Sequence, residues 1–171
     1  MLLETGGGLR KAKDALLSLS PDSPILVCNV DILSNIDLVA LQQAYNPNEM
    51  GVVVVSKRDT QRYLLFDQEN RLCGWTNIAT GELRGPIANR QHPMPETHPL
   101  AFSGMQVLNP RIFDCMDEIL ATKGEKFSLI DLYLSIVEKE TLRAYIPENY
   151  RMMDVGKIAQ LSEAESFAAS L

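Results

Sequence analysis

Two aspartates, each placed at the end of a short apolar stretch, are the residues of this sequence whose type and position could do chemistry. Asp31 closes the apolar run that starts at Ile25, and such a run ending on a carboxylate is typical of a buried parallel strand. Asp154 stands before Val155 and Gly156, an acid followed by a turn. Ligands of open α/β sheets lie outside the carboxyl ends of the strands. We therefore expect Asp31 and Asp154 to meet at the mouth of one sheet and to hold Mg²⁺ beside phosphates.

Both aspartates also have a plainer explanation. Asp31 could end a strand or cap the next helix, and Asp154 could stand at a helix start, where the helix dipole favours an acid. Lys157 follows the second acid closely and could face either a phosphate or solvent. The recurrence of a carboxylate at two strand ends favours the metal site.

The composition limits the classes of protein. The chain has 171 residues, of which 46% are hydrophobic and 22% charged, as in an ordinary single globular domain. A net charge of -6 argues against a general nucleic-acid surface. The three cysteines are an odd number without C-x-x-C spacing, which favours a reducing cytoplasm. No apolar run approaches the roughly 18 residues that a membrane span needs, and the first residues lack the apolar segment of a signal peptide.

Hydrophobic periodicity predicts an α/β fold, a Rossmann-like, mostly parallel mixed sheet flanked by helices, in one domain over residues 1–171. Four consecutive valines, Val52 to Val55, predict a central strand. The predicted helices are 9–19, 37–45, 112–121, 129–138 and 158–170, and the other predicted strands are 25–31, 63–67, 71–75, 100–102, 105–108 and 142–146. Residues 150–154 are expected to continue toward the sheet, residues 4–8 to form a loop, and residues 76–99 to form a long loop.

The order of elements at the start of the chain is unusual. A loop, a helix and a strand make up half of a βαβ unit whose first strand is absent, since the residues before Glu4 are too few for one. This order predicts an N-terminally truncated domain. A missing parallel strand would expose a sheet edge, through which the chain could form a homodimer.

Several blocks of the sequence resemble the sugar-1-phosphate nucleotidyltransferase family. The nearest likeness is to the N-acetylmuramate 1-phosphate uridylyltransferase type, followed by the mannose-1-phosphate guanylyltransferases. The blocks follow the family order over nearly the whole chain: Leu3-Glu4-Thr5-Gly6-Gly7-Gly8-Leu9, Asn29-Val30-Asp31, Phe102-Ser103-Gly104-Met105-Gln106-Val107, and Asp154-Val155-Gly156 with Ala164-Glu165-Ser166 after it.

The resemblance implies that an NTP and a sugar 1-phosphate react to give a nucleotide-sugar and pyrophosphate. It implies that Asp31 and Asp154 are the catalytic carboxylates that bind Mg²⁺. It places the nucleotide near Glu4, Gly6, Gly7, Gly8 and Asn29, and the sugar near Phe102, Ser103 and Gly104. Trp75 could also stack on the sugar, although packing within its predicted hairpin is an equally ordinary role.

The sequence also departs from the family pattern. Members carry an N-terminal G-x-G-T-R loop and a Pro-Lys pair that hold the triphosphate, and no such block is present. Lys157 stands where many members have Thr, and Arg62-Tyr63-Leu64 lies near a position where relatives often place Gly against the sugar. Lys57 and Arg58 could meet an anion or simply end a solvated hairpin.

Two functions therefore stay open. The first is nucleotidyl transfer to a sugar 1-phosphate in the cytoplasm, with UTP as the preferred donor and GTP next. The second is a non-catalytic fragment, truncated or partnered, that keeps nucleoside and sugar surfaces but lacks the triphosphate loop.

Overall fold

The computed structural model describes residues 2–88, 96–156 and 160–171. Its helices are α1 (Glu4–Lys11), α2 (Lys13–Leu19), α3 (Leu38–Ala44), α4 (Met116–Lys123), α5 (Leu129–Ile136) and α6 (Leu161–Ala168). Its strands are β1 (Ile25–Cys28), β2 (Ile32–Ser34), β3 (Gly51–Ser56), β4 (Arg62–Phe66), β5 (Leu72–Asn77), β6 (Glu82–Arg84), β7 (His98–Leu108), β8 (Leu142–Tyr145) and β9 (Met152–Asp154). None of the helices in these ranges is long and apolar enough to cross a membrane.

The main sheet has seven strands in the order β6-β5-β4-β7-β3-β8, with β1 also paired to β7. β1, β3 and β4 all run antiparallel to β7, and β8 runs parallel to β3. Strands β1, β3, β4, β6 and β8 therefore point in one direction, while β5 and β7 point in the other. The predicted class, a mixed α/β sheet flanked by helices, is confirmed. The central strand β7 runs opposite to the three strands paired with it, so most neighbouring pairs are antiparallel.

The valine strand β3 separates two hydrophobic clusters. Val53 and Val55 pack into the larger cluster, which includes residues of α1, α4 and α5, whereas Val52 and Val54 face a smaller cluster with Leu41 of α3. All four valines are at most 2% exposed. A strand buried on both faces reads as a continuous apolar run instead of an alternating one, which is why the sequence located β3 correctly.

Strand β1 is less buried than its apolar sequence predicted. Ile25 is buried, but Leu26 is 48% exposed and Cys28 is exposed as well. The only described strand that pairs with β1 is β7, antiparallel, so its other edge has no partner within the described residues. The expectation of a buried parallel strand is therefore wrong for β1, although its position next to the site is right.

The predicted hairpin is present as β4 and β5, with Leu64 opposite Trp75. Asp67 organises its turn, because its carboxylate accepts hydrogen bonds from the backbone N–H groups of Glu69 and Arg71 at 2.9 Å each. The predicted long loop is partly wrong, since residues 82–84 form β6 and residues 86–88 a short 3-10 helix. Residues 89–95 lie outside the described part of the chain.

The glycine block is helical, which corrects the predicted loop over residues 4–8. Gly6 and Gly7 both donate their backbone N–H groups to the carbonyl oxygen of Phe127, at 3.0 and 3.1 Å. A Cβ on Gly6 would meet the Phe127 ring at 2.5 Å, and one on Gly7 would meet the carbonyl oxygen of Glu125 at 2.2 Å. Glycine is required here because α1 packs directly on the segment before α5. This packing overrides the low helix propensity of glycine.

The segment that carries Asp154 does not join the main sheet. Residues 152–154 form β9, which pairs antiparallel with β2 in a separate two-stranded ribbon, Ile32 opposite Asp154. The prediction that both aspartates would lie at the mouth of one sheet is therefore wrong. The separate β2–β9 ribbon brings the two aspartates together instead.

Candidate functional site

Asp31 and Asp154 converge on Gly156. A Cβ placed on Gly156 would lie 2.9 Å from Oδ2 of Asp31 and 3.2 Å from Oδ1 of Asp154. Both carboxylates therefore lie within 3.2 Å of the same point, although they are far apart in sequence. We call these two side chains the acid pair.

The backbone fixes the acid pair from both sides. The N–H group of Val155 donates to the backbone carbonyl oxygen of Asp31 at 2.8 Å, which joins the two chain segments just beside the ribbon. The N–H group of Gly156 donates to Oδ1 of Asp154 at 2.9 Å. Asp154 and Gly156 are exposed and Asp31 is half-buried. The acid pair is thus held in place but open to a ligand.

The donor set of the acid pair fits a hard divalent cation. Within the described residues, no third His, Cys, Asp or Glu joins these two oxygen donors in a metal-sized cluster. Mg²⁺ typically takes one or two protein carboxylates and fills its remaining positions with water and substrate phosphates. Asp31 and Asp154 are therefore the residues that could hold Mg²⁺.

Cys28 lies close to the acid pair without forming part of it. Burial, and secondarily the charge of Asp31, raise the pKa of the Cys28 thiol above its ordinary value. The thiol donates to the carbonyl oxygen of Asn29 at 3.2 Å. A raised pKa disfavours the thiolate, which is the form in which a cysteine acts as a nucleophile or metal ligand.

Asn29 and Gly104 are in direct contact, although the resemblance assigned one to the nucleotide and the other to the sugar. The N–H group of Asn29 donates to the carbonyl oxygen of Gly104 at 2.8 Å. Gly104 has φ +73°, and a Cβ there would meet the Asn29 side chain at 2.9 Å. Gly104 belongs to an irregular stretch of β7, between the pairs Val55–Phe102 and Val53–Gln106, which we call the β7 bulge (residues 103–105). Asn29 thereby links this bulge to the end of β1, two residues before Asp31.

The other residues expected near the sugar are placed differently from one another. Ser103 is 1% exposed, and its hydroxyl has no hydrogen-bond partner among the described residues. Phe102 and Trp75 are half-buried and pack against the larger hydrophobic cluster. The Trp75 ring also stacks on Arg84, 5.4 Å from the ring centroid. Trp75 on β5 is separated from β7 by β4, and its expected contact with the sugar stays a prediction.

The glycine block lies against the segment before α5. Gly6 and Gly7 are buried, whereas Gly8 is exposed and has open space where a Cβ would be. Glu4 is exposed, has φ +60°, and places Oε1 3.7 Å from Nζ of Lys126. Only Gly8 and Glu4 of the expected nucleotide-binding residues in this block present an accessible surface.

Lys157, the expected phosphate contact, lies outside the described residues. One residue of the site, Gly156, was not singled out from the sequence. It was seen only as part of a turn, yet the absence of its side chain makes room for both carboxylates. Arg58 was weighed as an anion contact or as a solvated hairpin end, and its guanidinium donates to the carbonyl oxygen of Phe102 at 2.9 Å. A basic residue just beyond the carboxyl end of a strand was the only available signal.

Comparison with known proteins relates this geometry to a known fold. No protein-family model matches the chain, and no curated protein matches its sequence. Solved structures do match. HddC from Yersinia pseudotuberculosis complexed with GMP-PN has a TM-score of 0.61 at 17% identity, over 96% of this chain and 63% of that one. The chain shares the fold of these proteins.

Two further structures match equally well. A protein from Bacillus anthracis named as a glucose-1-phosphate thymidylyltransferase, in complex with sucrose, has a TM-score of 0.66 at 14% identity, over 95% of this chain and 60% of that one. The inositol-1-phosphate CTP transferase of T. maritima has a TM-score of 0.62 at 16% identity, over 98% of this chain and 62% of that one. The fold implied by the resemblance is confirmed. The chain spans 60 to 63% of the length of these matching structures.

Proposed function

We propose that the chain takes part in nucleotidyl transfer from an NTP to a sugar 1-phosphate. In this reaction a phosphate oxygen of the sugar 1-phosphate attacks the α-phosphorus of the NTP, and the bond from that phosphorus to the bridging oxygen breaks as pyrophosphate leaves. The observation that carries the proposal is the convergence of Asp31 and Asp154 on Gly156. The names of two proteins that share the fold, a thymidylyltransferase and a CTP transferase acting on 1-phosphates, support it.

In this proposal Asp31 and Asp154 would hold Mg²⁺ beside the phosphates of the NTP. Bound Mg²⁺ would neutralise charge on the phosphate oxygens and on the leaving pyrophosphate. The protein then has little covalent chemistry to do, because positioning and charge stabilisation supply most of the rate enhancement in phosphoryl-type transfer. Gly156 keeps the space between the two carboxylates clear, and its N–H group orients the carboxylate of Asp154.

We assign the nucleoside to the exposed part of the glycine block, Glu4 and Gly8, with Asn29 at the end of β1. Gly6 and Gly7 support that surface from within, since their N–H groups already bind Phe127. The sugar is assigned to the β7 bulge, beside Phe102. UTP is the preferred donor and GTP the next, although proteins of this fold are named for different bases, so the fold alone does not select one.

A binding experiment tests the metal role. Isothermal titration of the protein with UTP or GTP, with and without Mg²⁺, should give Mg²⁺-dependent binding that weakens at least about tenfold in Asp31→Asn and in Asp154→Asn, because each loses a charged ligand. Asp22→Asn is the matched control, since Asp22 is exposed in the turn before β1. Nucleotide binding that ignores Mg²⁺ and both substitutions would contradict the proposal.

The same experiment decides between transfer and the alternative of a non-catalytic fragment. A fragment that only keeps nucleoside and sugar surfaces should bind nucleotide without regard to the acid pair. The intact mass of the protein from its own cells, measured beside the titration, would show whether the assayed chain is the one that the cell makes. Formation of pyrophosphate from an NTP and a sugar 1-phosphate is the decisive activity readout.

Two further proposals concern the setting of the reaction. We place it in the cytoplasm, which the three free cysteines support. We also propose a homodimer through the unpaired edge of β1, where Leu26 is 48% exposed, because an open strand edge can pair with a second copy. Light scattering should report a dimer, and a Leu26→Lys variant should be monomeric. A wild-type monomer at all concentrations would contradict the dimer.

A further inference from the structure

Arg58 lies two residues beyond β3, on an exposed stretch of the chain. Its Nη2 donates to the carbonyl oxygen of Phe102 at 2.9 Å. The last residue of β3, Ser56, pairs with Ala101, so the Arg58 side chain reaches along β7 toward the β7 bulge. A single backbone oxygen thus anchors one end of the guanidinium group beside the proposed sugar position.

Several arginines of the described chain are paired with carboxylates, whereas Arg58, Arg62 and Arg151 are not. Arg71, Arg84, Arg111 and Arg143 each have a carboxylate partner within 4.0 Å, whereas no carboxylate among the described residues lies that close to Arg58. A guanidinium group has five N–H donors in a planar fork. Most of the N–H donors of the Arg58 guanidinium can therefore bind an acceptor on a ligand.

The β7 bulge connects Arg58 to the acid pair. On one side of it, Phe102 accepts the hydrogen bond from Arg58. On the other side, Gly104 accepts the hydrogen bond from Asn29, which stands two residues before Asp31. The Arg58 side chain and the segment that leads to Asp31 thus contact β7 on either side of the same bulge, near the carboxyl ends of β3 and β1.

We propose that Arg58 binds the phosphate group of the sugar 1-phosphate, opposite the metal-binding carboxylates. The inference rests on the proposed function and names a residue for its second substrate. A sugar phosphate approaching an NTP brings anionic oxygens toward another anion, in a chain whose net charge is already -6. A planar guanidinium can pair with two phosphate oxygens at once, and its anchor on Phe102 reduces the entropy lost on binding.

This role also sets specificity. Arg58 would favour a 1-phosphorylated sugar over the free sugar, because only the phosphate offers the fork two charged acceptors. The bulge would contact the sugar, and Arg58 its phosphate. A merely structural role, tying β7 to the segment after β3, would predict lower stability without any change in the preference for phosphorylated sugars.

The test is titration of the protein with glucose 1-phosphate, mannose 1-phosphate and N-acetylmuramate 1-phosphate, and with the corresponding free sugars. Arg58→Gln, which can still donate to the Phe102 carbonyl, should weaken the binding of whichever sugar 1-phosphate the wild-type protein binds by about tenfold or more. Free-sugar binding and Mg²⁺–NTP binding should stay within about twofold of wild type. Arg58→Lys should restore part of the affinity, because it keeps the charge but not the fork.

Arg111→Gln is the matched control, since Arg111 is exposed beyond the end of β7 that lies away from the β7 bulge, and its replacement removes the same charge. The inference is overturned if Arg58→Gln binds sugar 1-phosphate as wild type does, if Arg111→Gln loses as much affinity, or if the wild-type protein binds no sugar 1-phosphate. Failure of the proposed function is recognised separately. It would appear as nucleotide binding indifferent to Mg²⁺ and to Asp31→Asn, whereas retained Mg²⁺-dependent binding with an insensitive Arg58 removes only the inference.

Discussion

The acid pair and the junction between α1 and α5 both place carboxylates beside backbone N–H groups, but they compensate the charge differently. At the junction (residues 4–8 and 123–131), Asp131 completes a capping box with Ser128 and also binds Arg84 and Lys123. At the acid pair, Asp154 accepts from one N–H group, and no Lys or Arg of the described residues lies within 4.0 Å of either aspartate.

The pKa of Asp131 reflects this compensation. Burial opposes its ionisation, but hydrogen bonds from Lys123, Ser128 and Arg84 outweigh that effect and hold its pKa below the ordinary range. Carboxylates that receive internal cations stabilise the fold, whereas a pair that receives few donors is available to an external cation. The difference is that a structural carboxylate is satisfied by its own chain, and a binding carboxylate is completed by its ligand.

Among the substitutions that test this comparison, the largest change in the free energy of unfolding is expected at the glycines of the junction. Gly7→Ala should lower the free energy of unfolding by about 3 kcal/mol, because its Cβ would overlap a backbone carbonyl that cannot easily move. Gly8→Ala is the matched control, with open space at its Cβ, and should raise stability by about 0.5–1 kcal/mol through helix propensity. Urea denaturation measures both, and equal effects would show that α1 does not pack as described.

A smaller change in the free energy of unfolding distinguishes Asp131, which cations of the chain bind, from Asp31 of the acid pair. Asp131→Asn should cost about 1–2 kcal/mol, since it removes the charge that Arg84 and Lys123 bind, at partly exposed positions where solvent screens part of the interaction. Asp31→Asn should change stability by less than about 0.5 kcal/mol, while it weakens Mg²⁺-dependent nucleotide binding at least about tenfold. A stability loss at Asp31 as large as that at Asp131 would break the comparison and make the acid pair structural.

The smallest expected effect is the pH dependence of the Asp131 contribution. Its folded pKa lies below its ordinary value of 3.8, so its contribution is fully present above that value and is lost as the pH falls toward the folded pKa. The difference in unfolding free energy between wild type and Asp131→Asn should therefore be constant from about pH 7 to 5 and should shrink below about pH 4. A difference that stays constant down to about pH 3 would contradict the role of the Asp131 charge.

Local sequence predicted the elements whose side chains decide their own structure. The Val52 to Val55 run is strand β3 because β-branched residues suit a strand buried on both faces. The β4–β5 hairpin followed from two strand-like runs around a polar turn that Asp67 organises. The helix predicted over residues 37–45 is α3, and the carboxylate of Asp37 caps its first turn by accepting from Val39 and Ala40. In the hairpin turn and the helix cap, the hydrogen-bonded residues are only a few positions apart, and in β3 the local run of valines is itself the signal.

The predictions from sequence were wrong where a contact between distant residues decides the local structure. Three glycines in a row are poor helix formers, and only the fit of Gly6 and Gly7 against Phe127 and Glu125 makes them helical. The Asp154 segment was expected to reach the main sheet, but it pairs with β2 in a separate ribbon. Neither contact can be read from spacing, because both join residues more than 100 positions apart.

The sequence by itself determined the α/β class, the strand at Val52 to Val55, and the identity of Asp31 and Asp154 as the carboxylates of interest, since these depend on residue type and local pattern. Only the tertiary structure decided that the two aspartates share Gly156, that Gly6 and Gly7 are packing residues, and that Arg58 reaches the β7 bulge. The reason is physical. Periodicity records which face of an element is buried, but the partner that buries it is chosen by close packing and backbone hydrogen bonding across the whole chain.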